Sequence, residues 1–282
     1  MANNSYNWYP GHMTKARRAM EEDVKLVDLL IELLDARCPL ATRNPDIDKL
    51  GAGKARLVLL NKSDLSDKRV NDRWLEYFKQ REITAVLLNA QRGDGMKSIN
   101  ASVEKTCKEK IERNKKKGII NRPMRAMVVG IPNVGKSTFI NSYAKRAVAK
   151  TGNKPGVTKG KQWIRMSKTL ELLDTPGILW PKIDDDYAGF CMAMIGSMND
   201  EIINLDQMSE RFIKLMQEKH PDLIEEKYGV KADMSFLTAL ETIALQRNAL
   251  RSGGVPDTEK ALKFLIDDFR SGKIGHISLE EP

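Results

Sequence analysis

Short apolar runs alternate with amphipathic stretches along the first two thirds of the chain. The runs 27-VDLLIELLDA-36, 55-ARLVLLN-61, 84-TAVLLNA-90 and 124-MRAMVVGI-131 have the length and branching of buried strands. Between them the apolar positions fall at helical spacing. A helix is expected from His12 to about Lys25, with Lys15, Arg17 and Arg18 on one face. A second should run from Asp67 to Gln80 through Val70, Trp74, Leu75 and Phe78, and a third, single helix from Met96 to about Lys117, closed by Gly118. A fourth begins near Lys136, and 161-KQWIRM-166 with 169-TLELLDT-175 reads as a hairpin-like pair. From about Asp185 onward only helical patterns remain, among them Met208–Lys219, Ser235–Arg247 and Glu259–Phe269. The pattern therefore predicts an α/β domain with a doubly wound, mostly parallel sheet over residues 1–182, followed by a smaller all-α domain over 183–282.

Three of the predicted strands end on motifs that handle nucleotides. After 124-MRAMVVGI-131 comes 130-GIPNVGKS-137, a phosphate-binding loop in its required context between a strand and a helix. Gly130 and Gly135 let backbone N–H groups turn inward, so the stretch Asn133, Val134, Gly135, Lys136, Ser137, Thr138 would wrap the phosphates at the positive end of the next helix. Lys136 would reach the β- and γ-phosphates, and Ser137 would hold Mg²⁺. At the end of 169-TLELLDT-175 stands 174-DTPG-177, where Asp174 would contact Mg²⁺ and the Gly177 N–H would sense the γ-phosphate. Between them, Thr158 of 155-PGVT-158 is the candidate first-switch ligand to Mg²⁺, with a plain turn residue as the alternative.

The strand 55-ARLVLLN-61 ends in Asn61-Lys62-Ser63-Asp64, the guanine-reading signature of GTP-binding proteins. The Asp64 carboxylate can accept from the N1–H and amino edge of guanine, and the Asn61 amide suits the other edge. Adenine offers no donor pair there and would leave the carboxylate unpaired. The Lys62 stem can lie along the ring, and 88-LNAQ-91 could supply backbone N–H groups at Asn89 and Ala90 to the guanine oxygen. In the usual order this signature follows the phosphate loop; here it precedes it by some seventy residues. The motifs run fourth, fifth, first, second, third, so the domain is circularly permuted.

Charge adds a partner. The 282 residues carry a net +9, yet residues 205–282 hold 11 Lys/Arg against 14 Asp/Glu, which leaves +12 on the remainder. Lys105–Arg125 has nine basic residues against two acidic ones, and Lys145–Lys168 has eight against none. One such run is commonly a solvated helix face; two favour a polyanion, nucleic acid above all. The first twenty residues lack the apolar stretch of a secretory signal, and no apolar run approaches a membrane span, so a cytoplasmic protein is expected. Cys38, Cys107 and Cys191 are far apart without metal-ligand spacing and read as reduced thiols.

With these elements in place, the chain resembles the circularly permuted GTPases, in particular the bacterial ribosome biogenesis GTPase A branch. The likeness covers essentially the whole length: 8-WYPGHM-13, 35-DARCPLATRNP-45, NKSD, GIPNVGKS, 154-KPGVTKGKQW-163 and 173-LDTPGILWP-181. It implies a GTP-hydrolysing factor that binds an immature large (50S) ribosomal subunit and its rRNA in the GTP state, and leaves after particle-stimulated hydrolysis to GDP. Neither a membrane nor DNA is an implied partner. The position after DTPG, where other GTPases carry a water-orienting Gln, is Ile178, whose aliphatic side chain cannot orient water. The resemblance assigns that task to His12, with a helix-starting or RNA-touching histidine as the alternative. It also implies a K⁺ site at Asn133, against a merely loop-stabilising Asn. Because the third motif comes last, the chain leaves it through 178-ILWPK-182 straight into the helical domain, a lever for the order–disorder logic of GTPase switches.

Overall fold

The computed structural model describes residues 6–7, 12–120, 122–151, 163–173, 182–183, 185–200 and 203–282. The chain forms two compact units, residues 1–189 together with 278–282, and Phe190–Ile277. The division falls between Gly189 and Phe190, seven residues beyond the expected boundary and inside a helix, and the last five residues return to the first unit.

The first unit is built on a six-stranded sheet. Its strands are β2 (Leu29–Asp35), β3 (Ala55–Asn61), β4 (Thr84–Leu88), β5 (Met124–Val129), β6 (Trp163–Arg165) and β7 (Leu170–Leu173), in the order β4-β3-β2-β5-β7-β6. All neighbours are parallel except the β6–β7 pair. A separate ladder joins β1 (Tyr6–Asn7) to β8 (Lys182–Ile183), with Tyr6 opposite Ile183. All seven residues of β2 are buried, as expected for a central parallel strand covered on both faces. On one face Val58, Leu60 and Leu34 pack against Trp74 and Phe78 of α3 (Lys68–Gln80), a helix whose N-cap Asp67 accepts from the Arg69 and Val70 N–H groups. On another part of the sheet Leu30, Met127 and Val129 pack with Met20, Val24 and Val27 at the end of α1 (His12–Leu26), and with Ile47 of the short α2 (Ile47–Leu50).

The single helix expected from Met96 to Lys117 is a 3₁₀ turn (Met96–Ser98) followed by α4 (Ile99–Thr106) and α5 (Lys108–Lys116), separated at Cys107. Ile99, Val103 and Cys107 form a buried stripe at four-residue spacing, and that stripe ends where the helix breaks. Beyond it the Lys/Arg-rich sequence has little apolar surface to lay on the sheet. Burial, with Asp28 nearby, pushes the Cys107 thiol up to about 11, so it is an inert packing residue. Cys38 and Cys191 are likewise buried thiols. From β5 the chain turns through the phosphate loop into α6 (Lys136–Thr151).

The second unit continues α7 (Asp186–Met194) into α8 (Leu205–Lys219), α9 (Pro221–Tyr228), α10 (Phe236–Gln246) and α11 (Thr258–Arg270). The sequence pattern missed α9, which starts on Pro221 at its first position and stops at the left-handed Gly229 (φ 75°). Phe212 and Phe269 meet with ring centroids 4.9 Å apart, and the Tyr228 hydroxyl donates to buried Asp268 at 2.8 Å. Arg270 ties the α7 end to α11 by donating to the Ala193 and Met194 carbonyls and to Asp200. Among the described residues no helix is long and apolar enough to cross a membrane.

Candidate nucleotide site

The carboxyl ends of β2, β3, β4 and β5 lie side by side, the edge at which open parallel sheets receive ligands. Sequence order is irrelevant there: β3 carries NKSD and β5 carries the phosphate loop, with β2 between them.

The phosphate loop is shaped by two glycines. A Cβ on Gly130 would stand 2.6 Å from the Leu33 carbonyl oxygen of the neighbouring strand, so only a bare backbone can leave the sheet there. Gly135 has φ +97°, and a Cβ on it would lie 2.4 Å from the Asn61 amide nitrogen. Asn133 is left-handed as well, at φ 62°. Lys136 is buried and its Nζ donates to the Gly130 carbonyl at 3.2 Å, across the mouth of the loop. Ser137 and Thr138 are exposed at the start of α6, while Phe139 anchors the helix in the core and stacks on Tyr143 at 5.8 Å.

Asn61 ties three loops together. Its Nδ2 donates to the Val134 carbonyl at 2.7 Å and its Oδ1 accepts from the Ala90 N–H at 2.9 Å, both buried. One amide thus joins the base loop to the phosphate loop and to the loop after β4, and a second Nδ2 hydrogen remains for an acceptor on a ligand. Lys62 adopts φ 57° and sends its Nζ to the Asn133 carbonyl at 2.8 Å and to Asp35 Oδ2 at 3.1 Å. Ser63 closes the turn by bonding the Leu88 carbonyl through both its N–H and its hydroxyl. The Asn89 side chain accepts from the Gln91 and Arg92 N–H groups, so it shapes the loop that presents the Ala90 N–H.

Beneath this lies a pair that the motifs did not single out. Asp35, at the end of β2, is fully buried and accepts from Arg37 at its Nε (2.9 Å), its Nη2 (2.8 Å) and its backbone N–H (3.1 Å). Burial alone would raise the Asp35 pKa, but the charges of Arg37 and Lys62 outweigh it and hold the carboxyl well below the usual range. The anchored carboxylate in turn fixes Lys62, and Asp64 stands close enough to Arg37 to help keep the guanidinium charged. The signal for it was an acid and a base two residues apart at the carboxyl end of an otherwise apolar strand.

The structure therefore gathers Asn61, Lys62, Ser63, Asp64, Asn89, Ala90, Asn133, Val134, Gly135, Lys136, Ser137 and Thr138 along one edge. His12 begins α1, but its side chain, like Thr158, Asp174, Gly177 and Ile178, lies outside the described residues. The exposed Ser137 hydroxyl is a hard oxygen donor and the Asn133 amide oxygen a neutral one, donor types that suit Mg²⁺ and K⁺ respectively.

Replacing Asn61 with alanine should lower the stability of the nucleotide-free protein by about 2–4 kcal/mol, because a buried carbonyl and a buried N–H lose their partners. Thermal unfolding without nucleotide measures this. A side chain used only to read the base would leave that melting temperature unchanged.

The comparisons agree with this architecture. A family model described as a 50S ribosome-binding GTPase matches residues 125–228. That span opens on the phosphate-loop strand and leaves NKSD outside it, as the permuted order requires. Ribosome biogenesis GTPase A of Bacillus cereus is 45% identical over 276 residues, covering 98% of this chain and 93% of the relative. The Priestia megaterium protein of that name is 42% identical, covering 98% and 96%, and the Thermotoga maritima one 32%, covering 98% and 94%. The solved GNP-bound structure of YlqF from T. maritima superposes with a TM-score of 0.69 at 29% identity, covering 95% of this chain and 98% of that one. A permuted α/β sheet whose base loop and phosphate loop meet through Asn61 and Lys62, matched nearly end to end by these relatives, places the chain in the ribosome biogenesis GTPase A family.

Proposed function

We propose that this protein hydrolyses GTP as an assembly factor for the large (50S) ribosomal subunit, binding pre-50S particles and their rRNA in the GTP state and leaving after particle-stimulated hydrolysis. The observation that carries the reading is the Asn61–Val134 bond, which spans 73 residues of permuted sequence to assemble one guanine nucleotide site. The relatives' names, taken from ribosome biogenesis, and the 50S-binding description of the matching family support the partner.

Asp64 reads the guanine edge, Ala90 offers its N–H to the base, and Lys136 turns from Gly130 to the phosphates. Ser137, Thr158 and Asp174 would hold Mg²⁺, which neutralises phosphate charge when bound; Asn133 would hold K⁺ beside the same oxygens. The Gly177 N–H meets the γ-phosphate. With Ile178 in place of a glutamine, His12 orients the attacking water. The β1–β8 ladder supports that role: it pairs the residues just before WYPGHM with those just after DTPGILWP, tethering the two segments to each other. Through the same short segment the second switch leads into the helical unit, so a γ-phosphate that orders Gly177 biases that unit.

GTP turnover measured with and without large subunits tests the reading. Strong stimulation by the particle is expected. In His12→Ala, GTP affinity should stay within a few-fold while the stimulated rate falls roughly a hundred-fold, the pattern of a group used in the transition state. No stimulation in the wild type would favour an RNA-binding scaffold instead, and equal loss of binding and turnover would make His12 a structural residue.

A further inference from the structure

At the opposite edge of the sheet, where β5 begins, a pocket of about 520 Å³ lies between α4–α5 and the segment that leads into Met124. The six-residue strand β5 separates it from the phosphate loop by roughly 20 Å. Its volume is within the roughly 300–1,000 Å³ of small-ligand sites.

Three features define its chemistry. Its wall is apolar: Ile111 lines it, and past the left-handed Gly118 that ends α5 (φ 73°), Ile119 and Ile120 line it too while standing 40% and 74% exposed. Two adjacent exposed isoleucines stand in a strongly basic stretch of the chain. Its polar element is Asn114, only 7% exposed, whose Nδ2 has no hydrogen-bond partner. The Asn114 main chain is fixed, since its carbonyl accepts from Lys117 and Ile119, so the amide is presented from a rigid helix end. A buried donor without a partner destabilises the fold, and a ligand's acceptor would remove that cost. Its rim is cationic: Lys108 and Lys115 form no ion pair among the described residues, and Arg122 reaches Asp28 only at 3.7 Å.

An apolar wall, one amide to read an edge and cations at the mouth together match an unpaired nucleotide. The base would lie against the isoleucines, Asn114 would bond its edge, and the lysines would take the flanking phosphates. An acidic peptide fits less well, because it offers neither a planar face for the isoleucines nor a polar base edge for Asn114; for either anion the cations Lys108, Lys115 and Arg122 outnumber the carboxylates Glu104 and Glu112 in the lining. We infer that this pocket binds a splayed-out base of single-stranded RNA, a recognition site separate from the nucleotide site. The inference rests on the reading of the protein as an rRNA-binding factor and specifies where an unstacked base would be held.

Fluorescence anisotropy with a labelled single-stranded RNA dodecamer, and with the same strand paired to its complement, tests it on the full-length protein. Asn114→Ala and the exposed-site variant Ile120→Ser should each weaken single-strand binding roughly ten-fold, leave duplex binding within two-fold, and keep the wild-type GDP affinity. Neither variant removes a charge, so the salt slope should hold, whereas Lys115→Ala should lower it by about one. Loss of binding to both RNAs in parallel, or no loss to either, overturns the pocket while leaving RNA binding intact. Absence of RNA binding by the wild-type protein at low salt would remove both the pocket and the rRNA reading beneath it, with GTP hydrolysis still to be judged by turnover.

Discussion

Asp64→Asn is expected to exchange guanine for xanthine recognition. Lys62 at φ 57° and the two hydrogen bonds that Ser63 donates to the Leu88 carbonyl fix the turn that presents Asp64. A carboxylate held there accepts from both the N1–H and the amino group of guanine. An amide at the same place would keep its oxygen for the N1–H but set an NH₂ against the guanine amino group, leaving two donors facing each other unpaired. Each mismatched polar group costs about 1–3 kcal/mol, so GDP affinity should fall roughly 30- to 1,000-fold. XDP, which carries an oxygen in place of the amino group, should bind Asp64→Asn more tightly than GDP does. Isothermal titration with both nucleotides reads the crossover, and undiminished GDP affinity would take Asp64 out of the site. The fold should be unaffected, since the tie to the phosphate loop runs through Asn61 and Lys62.

The parts of the molecule that sequence disclosed are those where one physical constraint dictates several residues at once. The strand runs were legible because both faces of β2 are buried, so nearly every residue of it is apolar. The phosphate loop was legible because Gly130 and Gly135 stand where a side chain would strike Leu33 or Asn61. What stayed hidden involves partners that carry no pattern. Asn61 was expected to suit an edge of the base; that its amide also joins two other loops was hidden, because its partners are main-chain groups, which any residue could provide. The break at Cys107 was invisible because helical spacing persists across it; what changes there is only that the buried stripe stops. The return of Ser278–Pro282 was hidden most completely, since its contacts are largely with backbone.

Removing those five residues should therefore destabilise the first unit substantially. Leu279 is buried and donates its N–H to the Arg37 carbonyl at 2.7 Å, and its own carbonyl accepts from the Tyr187 hydroxyl. The Glu280 carboxyl caps the N–H groups of Leu40 (2.8 Å) and Ala41 (2.9 Å), and the Ser278 hydroxyl accepts from the Asp67 N–H at the N-cap of α3. Loss of one buried leucine at about 2 kcal/mol together with five hydrogen bonds at about 1 kcal/mol each predicts a cost of about 5–7 kcal/mol, or roughly 10–25 °C in melting temperature. The strap also grips the Arg37 main chain, whose side chain holds Asp35 and through it Lys62, so the nucleotide site should loosen with it. Its strength should depend on pH. Burial, reinforced by Asp185, outweighs the two N–H bonds and pushes the Glu280 carboxyl up to about 7, against an ordinary value of 4.5. The folded state thus binds this proton more tightly than the unfolded chain does. The stabilisation is fully present below about pH 4.5 and is lost as pH rises through about 7, amounting to about 2–3 kcal/mol at most. Glu280→Gln, which cannot titrate, should flatten that part of the stability profile between pH 5 and 8. Thermal unfolding of the wild type and the variant across this range measures the difference, and a wild-type contribution that grows with pH instead would show that Glu280 caps Leu40 and Ala41 as a stabilised carboxylate.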